Sequence, residues 1–132
     1  MNTHLDFETA KLLKGKGFDK IMKYHYPNFD TQNQEICLPT NWNNFTDMSG
    51  NSNYCSVPTI AEVVMWLYEK HGIWICVGQP WENERTFQSK VITNTIIEEG
   101  FNSTDVTIIG LYNSPTEAYI EAINYCLTRL IF

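Results

Sequence analysis

The chain of 132 residues has no closely spaced cysteines, little positive charge beyond its first 23 residues and no long apolar run. Cys37, Cys55, Cys76 and Cys126 stand far apart, with no Cys-x-x-Cys pair and no neighbouring histidine. That spacing argues against zinc and against a disulfide scaffold. Cys76 and Cys126 lie in apolar runs and read as small buried hydrophobes. No stretch reaches the ~20 apolar residues of a membrane-spanning helix, so no membrane partner is expected. The opening Met1-Asn2-Thr3-His4-Leu5-Asp6 lacks a basic segment followed by an apolar one, so no secretory signal is expected and the location implied is cytoplasmic.

Recognisable chemistry is equally scarce. Nucleophile-elbow, His-Glu-x-x-His and dinucleotide patterns are absent, and no cofactor or metal is expected. Lys14-Gly15-Lys16-Gly17 looks superficially like a phosphate loop but lacks the preceding strand, the glycine spacing and the Lys-Ser/Thr ending. Glu82/Glu84 and Glu98/Glu99 are pairs with nothing to make them face each other as an acid and a base. His4, His25 and His71 have no nucleophile or carboxylate at a partner spacing. The expectation is therefore a protein that is not an enzyme, with a hydrolase site around Glu82, Glu84 and His25 kept as a residual alternative.

Charge is unevenly placed. Residues 1–23 hold five lysines, at 11, 14, 16, 20 and 23, against Asp6, Glu8 and Asp19, a local balance of +2. The remainder carries four basic side chains against twelve acidic ones, and the whole chain −6. An acidic body repels the phosphate backbone of DNA or RNA, so nucleic acid is not the expected partner. The lysine cluster is the one place to attract an anion; its plain alternative is the solvated face of an amphipathic helix.

What is present is clearest from Ser56 to Val77. Thr59 with Glu62 three residues on is a capping-box pattern. Ile60, Val63, Val64 and Leu67 follow at helical spacing. Lys70 and His71 fall in the last turn, where positive charge suits the helix dipole, and Gly72 supplies the left-handed stop. Ile73 to Val77 is continuously apolar and predicts a strand buried on both faces. Ser114-Pro115-Thr116-Glu117 is a second capping box with proline at the first helical position. Ala118, Ala122, Ile123, Cys126, Leu127 and Leu130 then line one face of a helix.

The remaining elements are shorter. Asp6 to about Lys14 predicts a first helix with Phe7, Ala10 and Leu12 or Leu13 inward, ended by Gly15 and Gly17. Strands are expected at Ile21–Tyr26, at Glu35–Leu38 before Pro39, at Thr86–Thr93 and at Val106–Leu111, while Thr95–Gly100 is ambiguous between helix and strand. Residues 39–54 form a long Asn-rich stretch holding Trp42, Phe45 and Tyr54. It reads equally as a ligand-contacting loop or as a surface loop whose aromatics tuck back onto a core.

Three of these segments carry a resemblance. The Pro58-Thr59-x-x-Glu62-Val63-x-x-Trp66-Leu67-x-x-Lys70-His71-Gly72-Ile73 run resembles a pattern in small uncharacterised proteins of bacteriophages and mobile elements from Bacteroides-type bacteria. Asp6 to Leu13 with Lys16-Gly17-Phe18-Asp19, and Ser114 to Ala118, are similar to the same group, about a third of the chain in all. The resemblance implies a bacterial host cell and transfers no functional residue.

The fold expected is α+β, a single domain over 1–132, with a small mixed or antiparallel sheet of four or five strands. Two capped helices pack on one face, and the N-terminal helix covers an end or an edge. The function expected is a non-enzymatic binding protein that interferes with a host process, by occluding a host protein or by sequestering a small nucleotide signal. The alternative is an oligomeric structural or housekeeping phage component. It rests on Trp66, Trp74 and Trp81, which fall within sixteen residues. Aromatic side chains, amides and lysines together suit a compact ligand site. The candidate binding residues are thus Lys16, Lys20, Tyr24, Trp42, Asn44 and Tyr54.

Overall fold

The structure, a computed structural model, describes residues 5–20, 22–26, 35–44, 46, 48, 54–80, 86–98 and 101–131. His4, Phe45, Trp81, Glu82, Glu84 and Glu99 lie outside the described residues, as does most of the Asn-rich stretch after Asn44. The class is α+β: three α-helices and two three-stranded antiparallel sheets among the described residues. The strands expected to share one sheet of four or five are thus divided between two. The chain falls into two compact units, His4–Thr59 and Ile60–Ile131.

In the first unit, helix α1 spans Phe7–Gly15. Asp6 caps it, its carboxylate accepting from the Thr9 N–H at 2.9 Å. Of the two leucines left open by periodicity, Leu13 is buried with Ala10, whereas Leu12 is exposed. The helix closes through Gly17, whose φ of +88° only glycine adopts without strain. Strand β1 (Met22–Tyr26) is central, flanked by β2 (Glu35–Thr40) and β3 (Cys55–Ser56). β2 runs through Pro39 instead of stopping before it. An edge strand has one side that needs no ladder donor, which is where proline is tolerated. The pairing with β1 is also irregular beside it, between Met22 and Tyr24. α1 packs against edge strand β3, and the Leu5 N–H donates to the Pro58 carbonyl at 3.0 Å.

In the second unit, α2 (Ile60–His71) leads through Gly72 directly into β4 (Ile73–Gly78). Gly72 has φ +66°, and its N–H closes on the Tyr68 carbonyl at 3.0 Å. β5 (Phe87–Glu98) and β6 (Phe101–Tyr112) form a long hairpin, resolving the ambiguous 95–98 segment as strand; the sheet order is β4-β5-β6. A register shift at Ser89/Lys90 leaves Ile109 without a partner between Gly110 and Ile108. Helix α3 (Pro115–Tyr125) follows, and a π-helical turn over Cys126–Leu130 extends it. Ser114 caps α3, its hydroxyl accepting from the Glu117 N–H at 3.1 Å.

α2 and α3 pack on this sheet and on each other. They bury Ile60, Val63, Val64, Trp66 and Leu67 from α2 and Ala118, Ala122 and Ile123 from α3, with Ile73, Ile75 and Val91 from the sheet. Two alanines on α3 let its backbone approach closely. β4 was expected to be buried on both faces, and it is not. Its side chains alternate, Ile73 and Ile75 inward, Trp74 and Cys76 exposed, because β4 is an edge strand and helices cover one face only. Cys76 is therefore not the buried hydrophobe its apolar run implied. Cys126 is, and burial pushes its thiol pKa up to about 12. Ile123→Asp places a charge where no water reaches and is expected to cost upwards of about 4 kcal/mol. Loss of the cooperative urea transition by circular dichroism is the outcome that checks it.

Candidate functional site

Two regions qualify. The first surrounds the end of α1. An open concavity of about 470 Å³ has Glu8, Lys11, Leu12, Gly15 and Lys16 among its lining residues. In the same unit Asn43 makes a double tie: its amide nitrogen donates to the Phe18 carbonyl at 2.7 Å, and its amide oxygen accepts from the Ser56 N–H at 2.9 Å. The Lys14 ammonium donates to the Tyr54 carbonyl at 2.7 Å. These bonds bring the 3₁₀ turn Trp42–Asn44 next to Phe18, and Tyr54 next to the last turn of α1.

Each expected site residue can be placed. Lys16 is half-buried at the end of α1 and lines the concavity, and Lys20 is exposed two residues past Phe18. Tyr24 lies in the central strand β1. Trp42 opens the 3₁₀ turn, Asn44 closes it exposed to solvent, and Tyr54 is half-buried just before β3. Asn43 carries no sequence signal of its own. Its neighbours in the sequence are as polar as it is, and only its 8% exposure and its two partners distinguish it.

The second region is the face of the β4-β5-β6 sheet turned away from α2 and α3. Register fixes its rows: Trp74, Ile92 and Val106; then Cys76, Lys90 and Ile108; then Gly78, Gln88 and Leu111. Trp74 is 41% exposed, Val106 55%, Ile108 60% and Leu111 56%. Tyr68, exposed on α2, meets the Trp74 ring edge-on at 5.4 Å between centroids. A polar pair ends the patch, the Thr104 hydroxyl donating to the Asn94 amide oxygen at 2.8 Å. The aromatic excess noted in the sequence thus divides: Trp66 is buried in the core and Trp74 is on the surface.

No group of three or more His, Cys, Asp or Glu able to hold a metal ion occurs among the described residues. No described helix is long and apolar enough to cross a membrane. No protein-family model matches this chain, and neither a curated protein nor a solved structure is similar to it.

Two expectations follow. Asn43→Ala leaves a buried carbonyl and a buried N–H unpaired and is expected to cost about 2–4 kcal/mol, read as a lower urea midpoint. His71 was read as a cation suited to the helix end. Instead, partial burial and then the neighbouring Lys70 lower its pKa from 6.5, with the Trp66 ring 4.9 Å away. A depressed folded-state pKa contributes stability that is present above 6.5 and lost as pH falls through the folded value. His71→Gln should therefore lose less melting temperature than the parent between pH 7 and pH 5.

Proposed function

We infer that this chain is a non-catalytic binding protein that engages a protein partner through the outward face of the β4-β5-β6 sheet. The observation that carries this reading is the continuous apolar surface of Trp74, Ile92, Val106, Ile108 and Leu111. Exposed apolar side chains scattered singly are ordinary; a contiguous patch marks an interaction site. Aromatic residues are enriched at the centres of interfaces, and Trp74 with Tyr68 supplies them. The resemblance of three segments to proteins of bacteriophages and mobile elements supports a bacterial host protein as the partner.

A second reading, capture of a small anionic ligand, is favoured by Lys11 and Lys16 lining the α1 concavity. A nucleotide at a hundred times its Kd stabilises a folded protein by about 2.7 kcal/mol. On this second reading Lys16→Glu should abolish that gain.

The experiment for the main reading pairs stability with binding. Val106→Asp combined with Ile108→Asp alters exposed positions and should leave the urea midpoint unchanged within about 0.5 kcal/mol. The same variant should fail to retain the host protein that the parent chain retains in a pull-down. Retention by both forms refutes the sheet face as the contact surface.

A further inference from the structure

Resting on that reading of the sheet face, we propose that its partner is an amphipathic α-helix carrying one carboxylate at the centre of its apolar side, opposite Lys90. The shape of the face argues for a helix. Three strands about 4.8 Å apart give a surface roughly 10 Å across, the diameter of one helix. From the row of Gln88 to the row of Ile92 is four strand residues, about 14 Å, which matches about nine helical residues. The opposite face of this sheet is already covered by α2 and α3. A helix on the outward face completes a sheet buried on both sides. The apolar positions of such a segment, at i, i+3 or i+4, and i+7, meet Trp74, Ile92, Val106, Ile108 and Leu111.

Charge selects among occupants. Lys90 occupies the middle row and the middle strand, between Cys76 on β4 and Ile108 on β6. It is half-buried, with Ile92 two residues along its own strand. A second copy of this chain stacked face to face about a twofold axis sets Lys90 against Lys90, so the interface opposes its own closure. A carboxylate at that point satisfies the ammonium as water is excluded, and it fixes the register of the incoming helix.

The test is selection of helix-forming peptides with one randomised face, displayed as a library, against the full chain. Enriched peptides are expected to repeat the apolar spacing with Asp or Glu at its centre. Ile108→Asp should weaken a selected peptide at least tenfold. Lys90→Glu should weaken it roughly tenfold and turn selection toward Lys or Arg at the same position. That exchange of charge preference is something a merely structural lysine does not produce. Melting temperatures equal to the parent's establish that both variants are folded.

Four other outcomes overturn the proposal. Enriched peptides with apolar residues at every second position indicate strand addition at an edge. Enriched peptides with a neutral or basic centre, insensitive to Lys90→Glu, remove the charge assignment and leave the face as a partner surface. No enrichment, with dimerisation in sedimentation that Ile108→Asp abolishes, makes the face an interface between copies. No enrichment in a chain that stays monomeric removes both the helix and, if the pull-down is also unaffected by the doubly substituted variant, the partner surface itself.

Discussion

A β-sheet has two faces, and the second unit of this chain supplies helices for one of them. The geometry of that unit follows from this inequality. On the covered side Ala118 and Ala122 bring α3 close to the sheet, and Ile73, Ile75, Val91 and Ile123 fill the space between. On the other side the same strands present Trp74, Val106 and Ile108 to solvent. Burying apolar surface is favourable by about 25 cal/mol per Å², so leaving these side chains exposed forgoes stabilisation that a covering layer returns. The packed core of the unit and its exposed apolar surface are therefore two sides of one sheet.

The first unit is organised differently. Its three strands are short, and a polar side chain joins its parts. Asn43 is buried and satisfied on both sides of its amide, by a carbonyl past the end of α1 and an N–H of β3. A polar tie of this kind specifies one arrangement, because every displaced alternative leaves buried groups unpaired. Apolar packing tolerates some repacking; this contact does not.

Much of this was legible in the sequence, where local signals and packing agree. The Ser114 cap, the Gly72 stop and the inward faces of α2 and α3 emerge as read, because each depends on residues within a turn or two of one another. The hairpin was read short at Thr93 and Val106. Its far part holds Asn94, Asn102, Ser103 and Thr104, which pair through the backbone and show no apolar alternation. β4 misled for the opposite reason: an unbroken apolar run implied burial on both faces, yet half of it is the exposed patch. The candidate site was legible only as composition. Lysines, amides and aromatic residues were noticed near one another in kind, while the tie that joins their segments runs through Asn43, identical in type to its neighbour Asn44. No local pattern tells two adjacent asparagines apart when their roles are set by partners 13 and 25 residues away.

The unpaired Ile109 in β6 has a wider meaning. In a regular strand Ile108 and Leu111, three positions apart, point to opposite sides. The extra residue shifts the count, so both stand on the outward face while Gly110 and Tyr112 turn inward. Tyr112 fits there because Gly110 has no side chain; a Cβ at that position falls 2.9 Å from the phenolic oxygen. The outward surface is thus written in phase as well as in composition. A hairpin of the same sequence paired without this irregularity splits the surface, sending Leu111 toward the helices and Tyr112 to water, whereas deletion of Ile109 restores regular alternation and keeps Ile108 and Leu111 on one face. A one-residue slip of pairing, more than a substitution, is the change by which such a surface is gained or lost.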